Sequence, residues 1–202
     1  SGGSYLVAPG GSYHVPAAGA TALALGDDSE VTVPITGVFN YPGGSTSALT
    51  ICSNGFVSVA TGNGTGFSPN GTTWANSVRA RWGTWHDFNP SIVGSGAVKF
   101  EQIGSTVYVT WDGVYDFLST NPNIWQLQFN LSTSSVTFVW PAMSGSGNSL
   151  LVGYAPGGSN PDAGSRDLSL TMPFNSSTSN TFALALAGAL PTLGSNVPMI
   201  TT

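Results

Sequence analysis

The residues best suited to chemistry stand in one short run, residues 80–90, "ARWGTWHDFNP". It holds one of the two histidines of the chain, next to a carboxylate and flanked by Trp82 and Trp85. Imidazole near carboxylate is the material of general acid–base catalysis and of nucleophile activation. A Ser or Cys hydrolase, however, needs a nucleophile within reach of the base and an acid that orients it. Asp87 follows His86 directly, and in a strand neighbouring side chains point to opposite faces. No Gly-x-Ser-x-Gly elbow occurs in the chain. His14, Cys52 and His86 are too scattered to form a zinc-ligand pattern. The run is therefore expected to be a sandwich strand and corner. Trp82, Trp85 and Phe88 would pack inside, and His86 and Asp87 would bond to loop backbone beside Pro90. Cys52, in the apolar "ALTICSNGFVSV", reads as a small core residue.

The carboxylates come next. Asp87, Asp112, Asp116, Asp162 and Asp167 are five of only nine acids, and most follow strand ends. The loop "NPDAGSRD" gathers Asn160, Asp162 and Asp167 around Gly164. Hard oxygen ligands on such a loop suit calcium, the one cofactor the sequence suggests, although the spacing is not that of an EF-hand and Asx turns explain it as well. Asp112 and Asp116 could face each other as glycosidase acids do, but nothing selects that pairing. Six Trp and six Tyr offer rings for stacking on extracellular glycans. Trp74, Trp85 and Tyr115 are the ligand-binding candidates, with Trp74 in polar "NGTTWANS" expected at the surface, and Trp111, Trp125 and Trp140 in the core. Asn63, Asn70, Asn130 and Asn175 head Asn-x-Ser/Thr sequons and are the candidate glycosylation sites.

Composition bounds the rest. Charged residues make up 6 % of the 202-residue chain, against roughly 25 % in an ordinary soluble domain. Hydrophobic residues at 41 % supply a real core. Lys99, Arg79, Arg81 and Arg166 are the only cations and the net charge is -5, which excludes a phosphate-binding surface for nucleic acid. No apolar run is long enough to span a bilayer as a helix, so membrane insertion is not expected. The opening "SGGSYLVAPGG" has neither a basic start nor an apolar signal stretch, as expected of a processed or recombinant chain.

The elements that must position these residues are strands. "EVTVPI", "AVKFEQ", "TVYVTWD", "IWQLQFN" and "VTFVW" alternate with period two or carry β-branched and aromatic residues. Val107, Val109 and Trp111 share one face, as do Trp125, Leu127 and Phe129, with Gln126 and Gln128 expected outward. Turns rich in Gly, Ser, Asn and Pro separate them, and 27 Gly and 13 Pro leave little room for helix. The expected fold is all-β, an antiparallel β-sandwich, with the choice between jelly-roll and Ig-like arrangements open. Residues 1–190 would form the sandwich. Residues 191–202 would be a C-terminal extension whose "NVPMITT" pairs back, starts another module, or adds to a neighbouring subunit.

Over residues 30–172, "LTICSNGFVSV", "RWGTWHDFNP", "GAVKFEQIGSTVYVTWDGVYDF", "WQLQFNLSTSSVTFVW" and "LLVGYAPGGSNPDAGSRDLS" together resemble a module of large secreted bacterial proteins, notably of planctomycete type. More distantly the pattern is similar to nidogen-type extracellular domains. The resemblance implies a secreted β-sandwich with an architectural or adhesive role and no catalytic residues. The resulting expectation is an extracellular or cell-surface subunit, not an enzyme, that associates with itself through its apolar ends "SYLVAP" and "NVPMITT". A carbohydrate-binding module of a larger secreted protein is the alternative.

Overall fold

The computed structural model describes residues 5–7, 10–144, 149–158, 160, 174–175, 184–186 and 197–201. Period-two alternation produces strands almost throughout: β1 (Tyr5–Val7), β2 (Thr21–Ala22), β3 (Glu30–Tyr41), β4 (Gly44–Cys52) and β5 (Phe56–Ser58). A single turn of helix, α1 (Gly71–Ala75), precedes β6 (Arg81–Trp85), β7 (Phe88–Asn89), β8 (Ala97–Ile103), β9 (Thr106–Asp116), β10 (Pro122–Asn130) and β11 (Ser135–Ala142). The last strands are β12 (Leu150–Ala155), β13 (Phe174–Asn175), β14 (Leu184–Leu186) and β15 (Val197–Thr201).

Two antiparallel sheets result, as the alternation predicts. One runs β14-β12-β6-β5-β4-β3, the other β13-β1-β15-β11-β10-β9-β8-β2, with β7 also paired to β9. Each is built on a four-strand meander, β3 to β6 and then β8 to β11. The chain passes between the sheets at 85–88, and β12 lies back in the smaller sheet beside β6. The run that opened the sequence reading is thus the first crossover. Terminal strand β15 pairs within this chain, between β11 and β1, with Phe138 opposite Val197 and Tyr5 opposite Thr201.

The main core lies between the sheets. The larger sheet contributes Val107, Val109, Trp111, Trp125, Leu127, Phe129 and Phe138; the smaller one faces it with Leu49, Ile51, Val57, Trp82, Val152 and Tyr154. The alternate residues of the smaller sheet are apolar too. Cys52, Phe56, Trp85, Leu151 and Ala155 form a second cluster with Trp74 of α1, on the sheet's far side. The part of that sheet formed by β5, β6 and β12 is buried on both faces, at every position of these strands, whereas β3 and the start of β4 are largely exposed. Close packing there demands glycine. A Cβ on Gly83 would sit 2.4 Å from the Gly55 carbonyl oxygen and 2.6 Å from the Phe56 Cβ.

Part of the outer face of the larger sheet, around β8 to β10, is covered as well. Residues 12–17 cross it as a strap. His14 N–H donates to Gln126 Oε1 (3.1 Å), Gln126 Nε2 donates to the His14 carbonyl (2.8 Å), and Gln128 Nε2 donates to the Ser12 carbonyl (2.7 Å). Gln126 does point outward, but the strap takes it from water, and it is fully buried. His14 also pairs with Glu101 (2.9 Å) and packs on the Tyr108 ring.

Candidate functional site

His86 is 1 % exposed at the first crossover, and its partner is Asp116 at the end of β9, not the adjacent Asp87. Its Nε2 lies 3.1 Å from Asp116 Oδ1 and its Nδ1 lies 3.0 Å from the Ser149 carbonyl. A carbonyl can only accept, and Asp116 Oδ1 already accepts from Asn123 Nδ2 (2.8 Å). The Ser149 carbonyl requires Nδ1 to donate, and towards an ionised Asp116 the Nε2 donates as well, so this geometry favours the imidazolium form. Burial disfavours that charge, but the hydrogen bonds to Asp116 and Ser149 and the charges of Asp116 and Asp87 outweigh it, so the pKa is raised above its ordinary 6.5. Ser144 donates from Oγ to the other Asp116 oxygen, and its N–H donates to Asn123 Oδ1 (2.9 Å). The order is Ser–Asp–His, with the serine on the carboxylate. A hydrolytic triad would put it on the imidazole, whose two nitrogens here face Asp116 and the Ser149 carbonyl. The arrangement ties His86, Ser144 and Ser149 to the β9–β10 hairpin.

Sequence reading named Asp116 as an acid near a strand end but did not pair it with His86, because it did not foresee that β9 continues through Asp116. Trp111 and Val114 both face the core, three residues apart. Gly113, with φ +75°, inserts the irregularity that turns Asp116 inward. An isolated glycine inside a strand pattern was the signal available. Asp112, on the other side of that irregularity, pairs with Lys99 at 2.6 Å. The two acids considered as a glycosidase pair are thus engaged separately.

A second constellation lies on the far side of the smaller sheet. The Arg81 guanidinium is 2 % exposed and sits 4.1 Å from the Trp74 ring centre, 5.1 Å from Trp85 and 5.3 Å from Phe56. Its Nη2 donates to the Thr73 carbonyl (2.9 Å), and among the described residues no carboxylate pairs with it. Burial pushes its pKa down to about 10. The aromatic faces stand in for a counter-ion. Burial likewise pushes the Cys52 thiol up to about 12, so it is an inert core group.

This packing corrects the expected exposure of Trp74. Trp74 and Trp85 are fully or almost fully buried, stacked on each other at 5.7 Å, so neither ring has a face open to a sugar. The cause is α1, which the polar flanks of Trp74 concealed and which folds the indole beneath it. Tyr115 is half-buried beside the loop at Gly94. Of the calcium candidates, Asn160 donates from Nδ2 to the Gly157 and Gly158 carbonyls (2.9 and 3.0 Å), while Asp162 and Asp167 lie outside the described residues. A different set of acids does converge. Carboxylate oxygens of Asp27, Asp28 and Asp87 lie within 4.8 Å of one another, a grouping that could hold a hard cation and is also common without one. Asp28 already accepts from Asn54 Nδ2 at 2.6 Å.

The sequons differ in how their side chains are used. Asn63 is locked by Ser58 and Arg79, Asn70 caps α1 by accepting from the Thr73 N–H (3.0 Å), and Asn130 closes an Asx turn onto Ser132 and Thr133. Asn175 stands in β13 opposite Leu6. No helix among the described residues is long and apolar enough to cross a membrane. No family model matches this chain, and neither a curated protein nor a solved structure shows significant similarity to it.

Proposed function

We propose that this chain is a non-catalytic β-sandwich of an extracellular or cell-surface assembly, acting through contacts with copies of itself. The observation that carries the non-catalytic part is the wiring of His86: both nitrogens are consumed inside the sandwich. Self-association draws on a surface with few ionic groups to desolvate and with bare apolar side chains, Val93 at 96 % and Leu118 at 84 % exposure. Because β15 pairs with β11 and β1 of its own chain, the route we favour is exchange of β15 between copies, which would remake the same ladders. Glycan binding has weaker support, since Tyr115 alone of its three expected rings is not buried.

The test is light scattering over a concentration series with negative-stain electron microscopy of the native material. Oligomers or regular filaments are expected, and a monomer in both overturns the reading.

A further inference from the structure

We infer that Asn70 is a site of spontaneous deamidation, selected by the fold from three Asn-Gly pairs. These pairs, at residues 54–55, 63–64 and 70–71, share the local sequence that most favours the reaction. The Gly amide nitrogen attacks the Asn Cγ, the Cγ–Nδ2 bond breaks, and ammonia leaves with the displaced proton. Water then opens the resulting succinimide at either carbonyl, leaving Asp or isoAsp. The net change is consumption of one water and release of one ammonia.

The attack requires the side chain to swing onto the following nitrogen, so whatever holds the side chain slows it. Asn54 is fully buried and held at both ends of its amide, by Asp28 (2.6 Å), the Thr65 carbonyl (2.9 Å) and the Phe88 N–H (3.1 Å). The nucleophile there is also engaged, because Gly55 N–H donates to the Cys52 carbonyl. Asn63 is held in the same way by Ser58 Oγ (2.9 Å), the Arg79 carbonyl (3.1 Å) and the Arg79 N–H (2.9 Å). Asn70 is exposed and keeps only its local bond from the Thr73 N–H. Gly71 opens a helical turn, where backbone N–H groups have no partner within the helix.

Conversion to Asp leaves an oxygen in place to cap Thr73 and takes the net charge from -5 by one further unit to -6. IsoAsp lengthens the backbone at the cap. A glycan on Asn70 would occupy the nitrogen that must leave, so the two modifications exclude each other.

The experiment incubates the intact chain at mildly alkaline pH and follows each Asn-Gly peptide by mass spectrometry, with the urea-unfolded chain in parallel. In the folded chain Asn70 should convert at least about tenfold faster than Asn54 or Asn63, as expected from the additional hydrogen bonds those two must break. In urea the three rates should converge. Comparable rates in the folded chain, or a difference that persists in urea, overturns the inference.

Discussion

At the scale of single residues, His86 decides how the opening run is understood, and it makes stability depend on pH. Its folded pKa is raised, so the stabilisation is fully present below the unfolded value of 6.5 and is lost as pH rises through the folded value. Urea midpoints measured from about pH 6 to about pH 9 should fall for the wild-type chain through that histidine window. His86→Phe should remove this slope and cost about 3 kcal/mol at pH 6, because it strands the buried Asp116 carboxylate. A wild-type profile with no slope there would mean that the imidazolium is not what closes the corner. That Trp82, Trp85 and Phe88 of this run would be buried was legible from its aromatic residues. The partner of His86 was not, because thirty residues and one strand irregularity separate Asp116 from it. Arg81 was hidden for a related reason: its aromatic box is assembled from β5, β6 and α1, and no local pattern announces it.

At the scale of elements, the strands were legible because hydrophobic period two survives in nearly all of them. The inward faces of β9 and β10 are the ones the alternation assigns, Val107, Val109 and Trp111 with Trp125, Leu127 and Phe129. What alternation cannot reveal is a polar face covered by another part of the same chain, as at Gln126, or a sheet apolar on both sides. It also missed α1, since one turn is too short to show a helical period and Asn70 was its only cue. The doubly buried strands β5, β6 and β12 set tight limits on side-chain size. Gly83→Ala should destabilise the chain by about 3 kcal/mol or more, because backbone atoms of Gly55 and Phe56 block the new methyl and cannot rotate aside. Thermal denaturation of that variant is the check. A shift within experimental error would show that β5 and β6 are further apart than described.

At the scale of the whole molecule, the sandwich follows from composition and turn spacing, but strand order within it does not. Which strand lies beside β11 depends on contacts between residues more than fifty positions apart. The placement of β1 against β15 also fixes how this molecule would respond to being pulled. Tyr5 lies opposite Thr201 in an antiparallel pair, so the two ends of the paired region emerge side by side. Tension applied between them loads the β1–β15 hydrogen bonds one after another, as in opening a zip, whereas strands pulled past each other in shear share the load. Force spectroscopy through residues 5 and 201 should therefore show β1 and β15 separating at low force, before the two meanders yield. A single high-force rupture of the entire sandwich would contradict that geometry. In an assembly under mechanical stress, this seam would act as the part that gives way first and re-forms when tension is released.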